Sequence, residues 1–231
     1  MPRVTLASPA PARARAVIRR LRAEYPQAGC SLTFRSPWEL LVATILSAQC
    51  TDRRVNQVTP DLFARFPTPQ AFAEAQQSDV EESIRSTGFF RNKAKSLVGA
   101  GRCILHEFGG EVPRTLEELK RVPGAGRKTA NVVLGNAYGI AEGIAVDTHA
   151  SRLSIRLGLT DTREPIKAER QLMQIVPRRE WTDWTHLLIA HGREVCIART
   201  PYCDRCVLLD LCPTGAQNLR QSARSVRVRS T

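Results

Sequence analysis

The sequence predicts an all-α protein in which helices are joined by short loops. Apolar residues recur at helical spacing in most segments, and helix-capping sequences precede several of them. Apart from the short basic segment 225–230, no stretch alternates as a strand would. The 231 residues, 42% hydrophobic and 24% charged, are typical of a folded chain with a sizeable core, which excludes wholesale disorder. The apolar runs are too short to span a bilayer.

Capping signals and apolar spacing locate the helices. Three capping boxes are present: Ser36-Pro37-Trp38-Glu39, with proline at the first helical position, Ser78-Asp79-Val80-Glu81 and Thr115-Leu116-Glu117-Glu118. Asp147 stands where a cap would begin a helix over residues 148–157. Helical spacing predicts further helices over residues 14–24, 55–66, 69–76, 93–108, 164–176 and 183–196.

The formal net charge of +12 predicts a polyanionic partner, most often nucleic acid. Most of the excess lies at the two ends: residues 1–29 hold six arginines and one acid, and residues 213–231 hold four arginines and no acid. These ends form one basic surface if they fold side by side, or attract phosphates non-specifically if they are loose tails. The sequence leaves both possibilities open.

The N-terminus carries arginines without the apolar segment of a secretion signal. We therefore expect an intracellular, cytoplasmic protein, associated with the nucleoid if the source is bacterial. We also expect no membrane partner and a monomeric state.

Four of the seven cysteines are clustered with the spacing C-x6-C-x2-C-x5-C, namely Cys196, Cys203, Cys206 and Cys212. Without an export signal, this clustering indicates metal ligation rather than disulfides. Four thiolates bind either one tetrahedral zinc, with sulfurs about 4 Å apart, or a [4Fe–4S] cube, which accepts wider spacing. A single C-x2-C pair with long flanking gaps favours the cluster but leaves zinc open. Neither site has a free coordination position, so its expected role is structural.

The segment Val122-Pro123-Gly124-Ala125-Gly126-Arg127-Lys128-Thr129-Ala130 predicts a helix–hairpin–helix that binds the DNA backbone without reading sequence. Gly124 and Gly126 are expected to allow positive φ and to leave no Cβ between backbone and ligand. The N–H groups that begin the second helix then form an anion site. A tight turn that needs glycine for geometry alone is the alternative, and the complete motif in a basic chain argues against it.

This hairpin, followed by Val146-Asp147-Thr148-His149, resembles the helix–hairpin–helix-Gly/Pro–Asp superfamily of DNA base-excision glycosylases. Ser47-Ala48-Gln49-Cys50-Thr51-Asp52 and the four cysteines narrow the resemblance to the endonuclease III group, over about residues 37–212. It implies an all-α fold, a six-helix domain with the helix–hairpin–helix at residues 30–140, and a second domain from residues 1–29 plus 141–231. It also implies that Cys196, Cys203, Cys206 and Cys212 hold a [4Fe–4S] cluster in the second domain.

The resemblance implies a bifunctional glycosylase and AP lyase that removes oxidised pyrimidines such as thymine glycol from double-stranded DNA in base excision repair. Lys128 matches the lysine that attacks C1′ of the damaged nucleotide, and Asp147 matches the aspartate that stabilises positive charge on the sugar. The cationic Arg127 and the positive helix end favour the neutral amine that such an attack needs. Without the motif, Lys128 is interpreted as a surface lysine that contacts phosphate, and Asp147 as a plain helix cap.

The damaged base must leave the stack, and a side chain must fill the gap. The resemblance implies that Gln49 and Phe89 do this, with phenylalanine where the family usually has leucine, although Phe89 and Phe90 are also candidates for the core. The further expected DNA contacts are Arg91, Lys93, Gly124, Gly126, Arg127, His149 and Arg199. His149 is alternatively structural.

Two other functions remain open. The related adenine-mismatch glycosylases are monofunctional and lack the lysine. A non-catalytic module that binds DNA or abasic sites is the alternative outside enzymes, against which an intact Lys128 and Asp147 argue.

Overall fold

The computed structural model of the protein describes residues 4–229, and the regular structure of these residues is entirely helical. The predicted all-α fold is confirmed. The helices are α1 (Ala10–Glu24), α2 (Pro37–Leu46), α3 (Asp52–Arg65), α4 (Pro69–Glu74), α5 (Gln77–Ile84), α6 (Phe90–Glu107), α7 (Leu116–Leu119), α8 (Arg127–Tyr138), α9 (Thr148–Arg156), α10 (Pro165–Ile175), α11 (Trp181–Glu194) and α12 (Pro213–Arg229). No helix among the described residues is both long and apolar enough to cross a membrane.

The described residues form two compact units. The middle unit is Cys30–Glu142, and the terminal unit combines the two ends of the chain, up to Gly29 and from Gly143. Residues 1–3 and 230–231, which belong to the predicted basic ends, lie outside the described residues.

Helix α2 forms the centre of the middle unit. Every residue of α2 after Pro37 is buried, and the helix packs against α3, α6 and α8. Helices α4 and α6 approach so closely that a Cβ at Gly101 would lie 2.7 Å from the carbonyl oxygen of Pro69. This apolar core includes Ala130, Val133 and Leu134 of α8, the helix that follows the hairpin, and so holds that helix in place.

Helix α11 is the core of the terminal unit, where it contacts α1 and α9 and buries Trp184 completely. Ion pairs add to this packing. Arg20 pairs with Asp210, and Arg22 lies 2.5 Å from Glu180 and 2.7 Å from Asp183. Two N-terminal arginines that contribute to the net charge are thus paired with carboxylates of the same unit.

The predicted caps are confirmed in two boxes and wrong in the third. Ser36 Oγ accepts the N–H of Glu39 (3.2 Å), and Thr115 Oγ1 accepts the N–H of Glu118 (3.3 Å). Helix α5 instead begins at Gln77, and its N-cap, Gln76, makes no side-chain cap. Ser78 therefore lies inside the helix that it was expected to cap.

Helix α12 has no counterpart among the predicted helices. Its sequence is polar and basic with few apolar residues, so helical spacing gave no signal. The helix contacts the short 3₁₀ turns Cys203–Arg205 and Leu209–Leu211, which lie between the clustered cysteines. The position of α12 thus depends on contacts with other segments, which the pattern of its own residues does not reveal.

Candidate active-site residues and the cysteine cavity

The hairpin between α7 and α8 requires glycine at position 124. Gly124 has φ +82°, and a Cβ there would lie 2.9 Å from Ser96 Cβ and 3.3 Å from Ile45 Cδ1. Both the backbone conformation and the packing against α6 and α2 therefore exclude a side chain. The turn is closed by the Ala125 N–H, which donates to the carbonyl of Val122 at 3.0 Å.

Gly126 differs from Gly124, and the expectation that it needs positive φ is wrong. Its φ is −77°, which any residue adopts, and a Cβ built there meets no atom within 4 Å. Gly126 is the N-cap of α8 and makes no side-chain cap. Since neither fold nor packing demands glycine here, its effect is to leave the start of α8 uncovered.

Lys128 is exposed in the first turn of α8. The first backbone hydrogen bond of this turn runs from the Ala130 N–H to the Gly126 carbonyl at 2.9 Å. Amides ahead of that bond have no acceptor within the helix and, with the helix dipole, favour an anion. The opposite face of α8 is anchored by the fully buried Ala130, Val133 and Leu134, so the helix that presents Lys128 is fixed in the core.

Asp147 is the N-cap of α9, as predicted. Its Oδ1 accepts the N–H of Ala150 at 2.7 Å. The preceding segment is buried and tied to α11, because Thr185 Oγ1 donates to the carbonyl of Ala145 at 3.0 Å. The carboxylate is therefore held in a defined position while it remains partly exposed.

His186, for which the sequence suggested only a structural role, lies in the electrostatic environment of Asp147. Burial lowers the pKa of His186, and the Asp183 and Asp147 carboxylates oppose that shift. Because its pKa falls below the usual value, the ring is neutral at pH 7 and brings no positive charge next to Asp147. No local motif around His186 signalled this proximity, which arises from the packing of α11.

His149 packs tightly against the backbone of α11. A Cβ at Gly192 would lie 2.5 Å from His149 Nδ1, so glycine at 192 is needed to admit the ring. Arg152 Nη2 lies 3.2 Å from the same ring nitrogen. This placement is consistent with the structural alternative for His149.

Gln49 and Phe89 share an unusual backbone conformation. They are the only non-glycine residues in the described chain with positive φ, at +52° and +49°. Phe89 is 64% exposed, whereas Phe90 is partly buried against the core, so Phe90 is the core aromatic of the pair. Strained backbone at non-glycine residues is concentrated at functional sites in proteins.

The basic residues that follow Phe89 differ in exposure. Arg91 is exposed, but Lys93 is only 5% exposed, and its Nζ donates to the carbonyl of Thr87 at 2.9 Å. Arg199, in the cysteine loop, is exposed, and Arg127 is partly buried. Lys93 is thus not available at the surface where a phosphate contact would form.

The four clustered cysteines line one cavity. Each sulfur accepts an N–H group from the protein: Arg156 to Cys196 (3.3 Å), Asn218 to Cys203 (3.6 Å), Leu208 to Cys206 (3.4 Å) and Gly215 to Cys212 (3.3 Å). N–H donors directed at sulfur are typical of thiolate ligands.

His191 adds a second contact to Cys206 Sγ, at 3.4 Å from Nε2, while its Nδ1 lies 3.0 Å from the Tyr25 hydroxyl. Burial lowers the pKa of His191 to about 4 and raises the pKa of Tyr25 to about 12, so both groups are neutral at pH 7. His191 therefore bridges Tyr25 and Cys206 through its two ring nitrogens, one of which carries a proton.

The lining of the cavity fits a positively charged metal group held by four thiolates. Burial raises the pKa of the Cys206 thiol to about 11, so it ionises at neutral pH only when a positively charged group is bound. Each of the four sulfurs also receives an N–H donor, as the sulfurs that hold an iron–sulfur cluster do.

Comparison with known proteins shows the family of the chain. Residues 42–178 match the model of the HhH-GPD superfamily of base excision DNA repair proteins. The chain is 54% identical to endonuclease III of Synechocystis sp. over 88% of its length and 93% of the relative, and 41% identical to endonuclease III of Escherichia coli over 85% and 92%.

Solved structures of endonuclease III are also similar to the chain. The chain is similar to a trapped endonuclease III–DNA covalent intermediate (TM-score 0.84, 41% identity, 90% of this chain and 98% of that one). It is equally similar to a non-covalent endonuclease III–DNA complex (TM-score 0.84, 41% identity, 91% and 98%). A thermostable thymine-DNA glycosylase, at 19% identity and TM-score 0.81, shows the shared fold alone.

Asp147→Ala is expected to destabilise the protein by about 1 kcal/mol, because the α9 cap is lost. Asp147→Asn keeps an acceptor for the Ala150 N–H and should retain most of that stability. Urea unfolding monitored by circular dichroism measures both. Equal destabilisation by the two variants would show that the charge, rather than the cap, stabilises this helix.

Proposed function

Because the chain belongs to the endonuclease III family of HhH-GPD base excision DNA repair proteins, we propose that Lys128 and Asp147 carry its glycosylase and AP-lyase reaction on oxidised pyrimidines in DNA. The observation that carries this assignment is an exposed lysine in the first turn of α8, behind an N-cap without a side chain. Phosphates held at the start of α8 would bring the DNA strand to this lysine.

Lys128 acts as the nucleophile. The neutral ε-amine attacks C1′ of the damaged nucleotide, the C1′–N bond to the base breaks, and the base leaves with a proton. Nζ loses one proton after the attack. The C1′–O4′ bond of the sugar ring then breaks, O4′ takes up a proton, and an iminium that keeps one N–H forms between Nζ and C1′. This iminium acidifies the C2′ proton, whose removal expels the 3′ phosphate by β-elimination. A single side chain thus supports both base release and strand cleavage.

Asp147 stabilises the cationic sugar and takes part in the proton transfers. Its Oδ1 is occupied by the Ala150 N–H, which holds the carboxylate in one orientation. A fixed negative charge is more favourable to a developing cation than a mobile one, because it needs no reorganisation during the reaction. The neutral ring of His186 leaves this charge uncompensated on that side.

The exposure of side chains in both units supports the surrounding DNA contacts. The uncovered start of α8 and Arg127 bind the backbone, while Gln49 and the exposed Phe89 enter the duplex when the nucleotide is extruded. Arg91 and Arg199 are exposed and suited to phosphate contacts. The substrate is a damaged base or abasic site in double-stranded DNA, thymine glycol among them, and the enzyme acts as a monomer.

Cys196, Cys203, Cys206 and Cys212 hold a [4Fe–4S] cluster, which as a closed four-thiolate site supplies cross-linking rather than reaction chemistry. Arg156 at the end of α9 donates to Cys196 Sγ and to the carbonyls of Ile197 (2.8 Å) and Ala198 (2.6 Å). The cysteine loop is thereby fastened to the helix that Asp147 caps.

Lys128→Gln is expected to abolish the covalent complex that borohydride traps on abasic-site DNA, since the amide cannot form an iminium. The wild-type protein should excise thymine glycol from a duplex and cleave the strand. Gel analysis of trapped and cleaved products measures both. Lys120→Gln, which alters another exposed lysine, is the control and should trap normally. A normal yield of trapped Lys128→Gln would contradict the assignment.

Gly126→Ser is expected to weaken DNA binding at least about tenfold without loss of stability. Serine is a good N-cap and φ −77° accommodates it, but its side chain would cover the amides that bind phosphate. Fluorescence anisotropy with an abasic-site duplex gives the affinity. Gly29→Ser, a change at another exposed glycine, is the control. If Gly126→Ser bound DNA with unchanged affinity, the first-turn amides of α8 would not be the site that binds the DNA backbone.

Cys206→Ala is expected to lower bound iron and the broad thiolate-to-iron absorption band at the violet end of the visible spectrum. Elemental analysis and absorption of the purified protein measure these quantities. Cys103→Ala, in α6, should retain both. A colourless wild-type protein that contains one zinc ion would show that the four thiolates hold the other candidate metal.

A further inference from the structure

Burial of the Lys93 side chain disfavours its charged form. Its side chain is buried, and burial lowers its pKa because an ammonium is poorly solvated there. It also lies in the first turn of α6, where the helix dipole disfavours a cation. A methionine would fill similar space without either cost. Stability alone therefore does not account for a lysine at this position.

The ammonium holds the loop that ends at Phe89. Nζ donates to the carbonyl of Thr87 at 2.9 Å, and Thr87 Oγ1 donates to the carbonyl of Ile84 at 2.8 Å. Thr87 is followed by two residues of positive φ, Gly88 at +69° and Phe89 at +49°. The Lys93 contact thus fixes the backbone immediately before Gly88 and Phe89.

We propose that Lys93 is a positioning residue for nucleotide extrusion, which holds the Phe89 loop in the conformation that inserts into the duplex. This inference rests on the proposed function. A pre-formed loop spares the enzyme the cost of ordering it while it unstacks the base. Lys93 acts through Phe89 rather than on the sugar or on a phosphate.

The test compares two single-turnover reactions that need extrusion to different extents. Excision of thymine glycol requires a stacked base to leave the helix, whereas strand cleavage at a pre-formed abasic site does not. Lys93→Met should lower the excision rate at least about tenfold and abasic-site cleavage less than about threefold. Phe89→Ala should show the same pattern. The double variant should lose little more than either single variant, because residues that act as a unit are not additive.

Lys95→Met is the matched control, because Lys95 lies on the same helix but is exposed. Removal of this exposed charge should change both rates by the same factor and reduce the salt dependence of binding. If Lys93→Met behaves in that way, or if its losses multiply with those of Phe89→Ala, the positioning role is wrong. Unchanged excision by Lys93→Met would overturn it equally.

Unfolding curves for all variants separate this role from a loss of folded protein. If Lys93→Met does not fold, Lys93→Gln, which is uncharged and one atom shorter, takes its place with the same expected pattern. Losses in both reactions that match the unfolded fraction would make Lys93 merely structural. Failure of the wild-type protein to excise or cleave would instead contradict the proposed function itself.

Discussion

The close approach of the hairpin to α2 and α6 is the constraint on which the middle unit's chemistry depends. Gly124 fits against Ser96 and Ile45 only because it has no side chain, and its positive φ turns the chain into α8. The buried face of α8 then fixes the helix axis, and with it the direction of the first-turn amides. Lys128 is a flexible side chain, but the backbone that carries it is part of a close-packed core. The position of the proposed catalytic lysine at the surface thus depends on the packing of the core beneath it.

Helices α8 and α9, which begin next to the two proposed catalytic residues, have opposite kinds of N-terminus. Helix α9 begins with Asp147, whose carboxylate satisfies the Ala150 amide, so the N-terminus is closed and the carboxylate immobilised. Helix α8 begins with Gly126, which offers no side-chain acceptor and leaves its amides for a ligand. The same backbone feature therefore provides a positioned carboxylate in the terminal unit and, in the middle unit, the proposed site for a DNA phosphate. Neither outcome needs residues beyond the N-cap and the first turn.

Local signals in the sequence predicted those features whose causes are local. The caps at Ser36, Thr115 and Asp147 depend on residues three positions apart, and the all-α class depends on short-range periodicity. Lys93 was interpreted as a phosphate contact because it follows Arg91 in a basic segment. Its burial comes from the position of α6 against the Thr87 turn, which a linear pattern does not contain. The environment of His186 and the course of α12 were missed for the same reason, since both depend on contacts between distant segments.

Net charge is likewise a poor guide to where phosphate binds. Of the N-terminal arginines, Arg20 is paired with Asp210 and Arg22 with Glu180 and Asp183, whereas Arg15 and Arg19 are exposed. A charge that is held by a carboxylate contributes little to long-range attraction, because the pair is nearly neutral at the distance of a Debye length. The excess of arginine at the N-terminal end therefore has a large structural component, which ties α1 to segments near α11 and the cysteine loop. The affinity for DNA then depends on the cations that are not paired with carboxylates and on the oriented amides of α8, rather than on the total charge of +12 alone. A partner that is bound by oriented backbone groups is recognised by the shape of its phosphate chain, which suits an enzyme that must bind damage in any sequence.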